Sequence, residues 1–170
     1  MGKTTLFSKL TRCRRGNAAV EFALIAPMFF GLLFAVLETV LVFFAQQYLQ
    51  SATTNAARLI MTGQAQGMTG AQFQQAVCND APALFTCGQI FVNSQKFSKF
   101  ASVTMLNPVS GGNFNQASLK FSTGAPGDIM LVQVFYQWPV YLAPMGFDLS
   151  NMNGNKRLLI GTAVFRNEPF

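Results

Sequence analysis

The stretch "AAVEFALIAPMFFGLLFAVLETVLVFFAQQYLQSATTNAARLIMT", residues 18–62, decides the fold, because it predicts one long helix with two different environments. From Phe22 to Ala45 it has 24 residues and a single charge, Glu38. At about 1.5 Å per residue this run is about 36 Å long, enough to cross a hydrocarbon core of about 30 Å. A core helix of a soluble domain would show a polar stripe, and this run shows none. The sequence therefore predicts a transmembrane segment over about residues 22–45.

Beyond this segment the apolar residues recur every three or four positions, which is typical of an amphipathic helix. The recurring positions are Ala45, Tyr48, Leu49, Ala52, Ala56, Leu59 and Ile60. Gly63 follows and favours the end of the helix. We predict that this half packs on a β-sheet, because a small domain needs an apolar helix face. The alternative is that the same stripe faces other subunits.

Most of the positive charge precedes the helix. The net charge is +6, and five bases with no acid lie before Gly16: Lys3, Lys9, Arg12, Arg14 and Arg15. The rest of the chain has seven bases and six acids, a net charge of 7 − 6 = +1. Cationic flanks stay in the cytoplasm, so we predict a single-pass inner-membrane protein with its N-terminus inside and its body in the periplasm. A nearly neutral body does not favour nucleic-acid binding.

A glycine and a glutamate mark the junction between this basic leader and the helix. In "RRGNAAVEFALIAP", residues 14–27, Gly16 is followed five positions later by Glu21 and then by Phe22. The arrangement resembles a class III, prepilin-type signal, and its form is similar to the TadE-like pseudopilins of the tight-adherence (Tad/Flp) pilus system. The resemblance extends to "NAARLIMTGQ" (55–64), "GAPGDIMLVQVFYQWP" (124–139) and "AVFRNEPF" (163–170).

The resemblance implies a pilin-like fold and a role as a minor pseudopilin in the initiation or assembly of a type IV-like pilus. It also implies a prepilin peptidase that cuts between Gly16 and Asn17 and leaves the apolar segment on the mature protein. The implied partners are this peptidase, other pseudopilins or pilins, the inner-membrane pilus platform and membrane lipid. The alternative from the residues themselves is an uncleaved, membrane-anchored periplasmic binding protein.

Glu21 lies at the edge of the apolar segment, where an unpaired charge is unfavourable. Cleavage after Gly16 would create an α-amine on Asn17, and a carboxylate one turn away attracts an amine strongly in low dielectric. The resemblance implies that Glu21 and the adjoining Phe22 act in processing or assembly, with Glu21 meeting the amine of a neighbouring subunit. The alternative is that Glu21 merely extends into the cytoplasmic headgroups.

Two further residues of the apolar segment need an explanation. Glu38 lies about 24 Å along the helix from Phe22, near the predicted outer interface. Its carboxylate would either extend to that interface or make a polar contact between packed helices, and the sequence does not choose between them. Pro27 removes a helix hydrogen bond and predicts a kink or a loosened turn.

The remaining residues predict a small α+β body with an antiparallel sheet. Residues 1–16 form the leader, 17–63 the long helix and 64–170 the body. Thr69 and Gln72 have the spacing of a capping box, which predicts a short helix. β-prone segments occur at residues 89–97, 102–106, 129–138 and 156–165, with a loop at 111–116.

Two cysteines and the absence of histidine limit the chemistry of the body. Cys78 and Cys87 are predicted to form a disulfide outside the cytoplasm, whereas Cys13 belongs to the leader. Their spacing does not fit a C-x-x-C redox pair, and no third thiol lies nearby for a metal. The chain has no histidine, and its acids are scattered. We therefore predict no enzymatic activity, no metal and no cofactor.

Overall fold

A computed structural model describes residues 17–80, 84–143 and 146–170. Complete elements within these residues are two α-helices, five β-strands and three single-turn 3₁₀ helices. The helices are α1 (Asn17–Met61) and α2 (Gly70–Asn79), and the 3₁₀ turns are Cys87–Gln89, Phe100–Ser102 and Gln116–Ser118. The strands are β1 (Ile90–Phe97), β2 (Val109–Ser110), β3 (Asn113–Phe114), β4 (Ile129–Pro139) and β5 (Lys156–Arg166). The α+β class predicted from the sequence is confirmed.

The chain divides into two compact units between Leu37 and Glu38, a point inside α1. In the first unit the described residues, 17–37, are helical throughout, and the helix assignment continues through Pro27. The large apolar side chains of this unit are 41–83% exposed. By length and composition this helix can cross a membrane.

The second unit, residues 38–170, is called the body from here on. It is built on a three-stranded antiparallel sheet in the order β1-β4-β5. β4 is central, with Val134 opposite Val92 of β1 and Gly161 of β5. The core on one face of the sheet combines the apolar side of β4 with α1 and α2, as the alternation in residues 129–138 predicts. A smaller cluster around Phe135, Met152 and Leu158 covers the other face, and it includes Phe114 of the β2–β3 hairpin.

The second half of α1 supplies much of this core. The buried positions are Val42, Ala45, Leu49, Ala52, Thr53, Ala56, Ala57 and Ile60. The structure therefore has the first of the two predicted arrangements, in which the stripe packs on the sheet. Tyr48 was predicted on the buried face but is 49% exposed. Small residues fill the interface, because α1 lies too close to β5 for larger ones.

Two glutamines of α1 close the outer edge of β5. Gln46 donates from Nε2 to the Ile160 carbonyl at 2.8 Å, and Gln50 donates to the Thr162 carbonyl at 2.8 Å. The side-chain oxygens of Gln46 and Gln50 accept from the same two residues' N–H groups, at 3.4 and 3.0 Å. Four helical residues rise about 6.0 Å and two strand residues about 6.6 Å, so the two repeats match. Each glutamine amide thus replaces the backbone of a missing strand.

The outer edge of β1 is covered in a similar way by the segment before β4. The Ser94 N–H donates to the Lys120 carbonyl at 2.7 Å, and the Lys120 N–H donates to Asn93 Oδ1 at 3.0 Å. The Ser94 hydroxyl also donates to the Ser122 carbonyl at 2.6 Å. Unpaired strand edges invite pairing with other chains. Here both edges of the sheet are engaged, at these positions, by the chain itself.

One strand prediction was wrong, and a buried glutamine explains why. Residues 102–106 do not form a strand; Phe100–Ser102 is a 3₁₀ turn instead. Gln133, which is 1% exposed, accepts from the Leu106 N–H at 3.0 Å and donates to the Leu106 carbonyl at 3.2 Å. This side chain satisfies the backbone that a neighbouring strand would otherwise pair with. The predicted loop at 111–116 is mostly the β2–β3 hairpin.

Gly161 tests the close packing of α1 on β5. A Cβ added there would overlap Thr53 Oγ1 and lie 2.9 Å from the Leu49 carbonyl oxygen. We expect Gly161→Ala to lower the free energy of unfolding by about 1–3 kcal/mol, because overpacking forces the helix away. Denaturant titration of detergent-solubilised protein, followed by Trp138 fluorescence, measures this.

Gly88→Ala is the matched control. A Cβ at Gly88 meets nothing within 4 Å, so its effect should stay within about 0.5 kcal/mol. Equal stability of the two variants would contradict the close approach of α1 to β5.

Candidate functional site on the N-terminal helix

The predicted cleavage position lies at the limit of the described residues. Gly16 falls outside them, and Asn17, in α1, is the first residue that the structure describes. Glu21 and Phe22 follow in the second turn and are exposed, Phe22 by 67%. Among the described residues Glu21 has no ion-pair partner. Its carboxylate is therefore available to a positive group supplied by another molecule or by the leader.

The helix around and beyond Glu21 presents apolar side chains in every direction. Leu24 is 76% exposed and Met28 83% exposed, and the large residues up to Leu37 are at least 41% exposed. So large an apolar surface is unfavourable in water and marks a membrane or helix-packing segment. This part of α1 is compatible with single-pass membrane anchoring.

Glu38 is the first residue of the second unit, and its surroundings differ from both sequence interpretations. It is 7% exposed, and its carboxylate accepts hydrogen bonds from the backbone N–H groups of Tyr141 and Leu142. The Leu142 bond to Oε2 is 3.2 Å long. These bonds to an ionised acceptor hold the segment after β4 against α1. Glu38 thus neither extends to an interface nor joins two helices; it fixes a loop of its own body.

The end of the predicted transmembrane segment is part of the folded body. Val42 is 7% exposed and Ala45 fully buried, both within the core around β4. The neighbouring Phe43 and Phe44 remain 67% and 57% exposed. A helix with one side in a protein core cannot be surrounded by lipid. Over residues 42–45, α1 therefore already belongs to the folded body.

A disulfide fixes the end of α2. It joins Cys78 and Cys87, the pair that the sequence selects, with Cα atoms 5.5 Å apart. The predicted capping box between Thr69 and Gln72 is present at the start of the same helix. Gln74 donates to the Cys87 carbonyl at 2.9 Å. These contacts stabilise the body and create no reactive centre.

Within residues 17–80, 84–143 and 146–170 there is no cluster of three metal-ligating side chains. The pKa of the exposed Asp148 is lowered because its carboxylate accepts hydrogen bonds from Ser150. A lowered pKa keeps that carboxylate ionised and makes it a poor proton donor. What distinguishes this chain chemically is the surface of α1.

A long exposed apolar helix followed by a small antiparallel α+β unit defines the class: an α+β protein whose N-terminal helix is compatible with membrane anchoring. The family model described as TadE-like protein matches residues 16–58. The resemblance drawn from the sequence is confirmed over this stretch. Neither a curated protein nor a solved structure matches the chain significantly.

The Glu38 contact predicts a specific change in amide exchange. Glu38→Ala leaves the N–H groups of Tyr141 and Leu142 without their acceptor, and bonds to a charged group are worth about 1.5–3 kcal/mol. We expect exchange at these two amides to accelerate about tenfold or more. Hydrogen–deuterium exchange of the purified protein measures this.

Glu38→Gln is the control, because it retains one acceptor oxygen and should preserve part of the protection. The Ala125 N–H, bonded to Asp128 at 2.8 Å, is the internal reference and should not change. Unaltered exchange at Tyr141 and Leu142 in Glu38→Ala would refute the assigned role of Glu38.

Proposed function

We propose that this protein is a TadE-like minor pseudopilin that contributes to the initiation or assembly of a tight-adherence pilus. A prepilin peptidase cuts it between Gly16 and Asn17 on the cytoplasmic face of the inner membrane. The mature protein then begins with α1, its body lies in the periplasm, and it assembles with other pseudopilins or pilins on the inner-membrane platform.

One observation carries the proposal: the TadE-like match covers residues 16–58, which include the exposed apolar part of α1 that follows Gly16 in the chain. A chain cut at this bond would begin with the apolar helix itself. The leader bases Lys3 to Arg15 would be removed together. The same bases explain the orientation before cleavage, because cationic flanks are retained in the cytoplasm.

The chemistry of Glu21 supports a role in assembly. Cleavage gives Asn17 a protonated α-amine, one helical turn from the Glu21 carboxylate. A charge at the membrane edge is least unfavourable when it is paired, and opposite charges attract more strongly there than in water. In this proposal the amine of one subunit meets the Glu21 carboxylate of the next. The pair would form only when subunits are in register.

The sheet supports the same route of association. Gln46 and Gln50 engage the edge of β5, and Lys120 engages the edge of β1. Addition of a strand from another subunit would first have to break these bonds. In the part of the chain that the structure describes, the large apolar side chains of α1 before Glu38 are exposed instead. We therefore place subunit contacts along α1, with the bodies carried on the outside.

Glu21→Leu separates assembly from insertion. We expect the variant to insert and to be processed normally, because the hydrophobic segment is lengthened and Gly16 is intact. We expect its amount in sheared pili to fall at least tenfold, because the α-amine of the neighbouring subunit loses its partner. Immunoblots of the membrane and sheared-pilus fractions, with antibody to the body, measure both quantities.

Val20→Leu is the matched control, since it changes the adjacent exposed apolar residue and leaves the carboxylate in place. It should be recovered in the pilus fraction like the wild type. Normal recovery of Glu21→Leu in that fraction would contradict the proposed pairing.

A further inference from the structure

We propose that the body contacts the lipid interface through two aromatic residues, Tyr141 and Phe147, of the segment between β4 and β5. We call these two side chains the aromatic pair. The proposed ligand is the headgroup region of the bilayer in which α1 is anchored. The inference requires that α1 spans a membrane, but it does not require assembly of a pilus.

The apolar part of α1 leads directly into the body. Residues 18–37 are 20 residues of exposed apolar helix, about 30 Å long, which equals the thickness of a hydrocarbon core. Leu37 is covalently joined to Glu38, the first residue of the body. Glu38 therefore directly follows the last residue of this apolar helix in the chain.

The contacts of β5 with α1 show which other residues of the body lie level with Glu38. Ile160 pairs with Gln46 and Thr162 with Gln50, so β5 runs parallel to α1. Going back four residues along β5 covers about 13 Å, which corresponds to about nine residues of α1. Lys156, at the start of β5, therefore lies at about the level of residues 37–38. Pro139, the last residue of β4, is opposite Lys156.

Residues 141 and 149 connect the aromatic pair to the end of the body at which Glu38 lies. Tyr141 donates its N–H to the Glu38 carboxylate. Phe147 comes two residues before Leu149, which lines a cavity of about 110 Å³ together with Thr39 and Phe43 of α1. Residues 141, 142 and 149 are thus held against the first turns of α1 within the body.

The exposure of the pair fits an interface better than bulk water. Tyr141 is 75% exposed and Phe147 45% exposed. Tyrosine rings, which have an apolar body and a polar hydroxyl, are enriched at the headgroup level of membranes. Tyr141 is of this kind, and Phe147 adds apolar surface. Glu38 holds Tyr141 by its backbone, which leaves the ring free to point away from the body. Phe43 and Phe44 of α1 add exposed apolar surface to the same end.

The charges at this end indicate which lipids would bind. Lys156 and Arg157 are balanced by Glu38 and Asp148, so the local net charge is 2 − 2 = 0. Arg157 is also engaged, since its Nη1 donates to the Leu149 carbonyl at 2.8 Å. Insertion of the aromatic pair, rather than attraction to anionic headgroups, would then supply the binding energy. We expect neutral and anionic bilayers to be contacted equally.

Tryptophan quenching tests the contact in the full chain. Trp138 is the only tryptophan, so Trp138→Phe gives a silent background. In that background Tyr141→Trp reports on the proposed contact. Phe100→Trp is the control, because Phe100 is 56% exposed and follows β1, whose end pairs with Ile129 at the opposite end of β4. Both variants are reconstituted singly into nanodiscs whose lipids carry bromine near the headgroup.

We expect bromine to quench the tryptophan at position 141 at least twofold in both neutral and anionic nanodiscs, and to leave the one at position 100 unchanged. Absence of quenching at position 141 would overturn the proposal. Equal quenching at both positions would also overturn it, because the body would then lie along the membrane. Quenching confined to anionic lipid would refute insertion as its cause. Protection of position 141 that appears only when further subunits are added would assign the pair to a protein partner.

This test is independent of the proposed function, since neither processing nor pili are involved. A protein that fails the Glu21 experiment can still show the quenching at position 141. Exchange protection of the Leu142 amide verifies that each variant retains the native loop.

Discussion

The close packing of α1 on β5 is the constraint on which the rest of the structure depends. A single helix provides the apolar anchor and then the main face of the core, so the body is stable only where the helix continues into it. Gly161 allows the approach, small residues such as Ala45 and Ala52 fill it, and two glutamine amides bind the strand edge.

This arrangement divides the surface into two chemical kinds. The sheet edges are engaged by the chain's own side chains and backbone, whereas the helix before Glu38 exposes large apolar groups. A subunit of this kind is protected from β-type aggregation and depends on lipid or on other helices to cover α1. A change from a lipid to a helical environment is what assembly of a helical fibre requires.

The sequence predicted the regular elements well because their signals are periodic and local. The end of α1, the capping box of α2 and the strands at residues 129–138 and 156–165 all follow from residue spacing. Glu38 and Gln133 could not be interpreted in this way, since the partner of Glu38 is a loop 103 residues away and Gln133 bonds to backbone 27 residues away. Buried polar groups of this type depend on tertiary contacts that no local pattern encodes. The only signal for Glu38 was its charge in an apolar run.

The central claim is that the chain acts as a processed subunit whose mature N-terminus belongs to Asn17. The most direct measurement is the intact mass of the protein extracted from the membranes of its native host. The account predicts a mass that lacks residues 1–16, with or without a small modification of the new amine. A functional protein that retains the leader bases Lys3 to Arg15 would contradict the account and leave a membrane-tethered α+β domain.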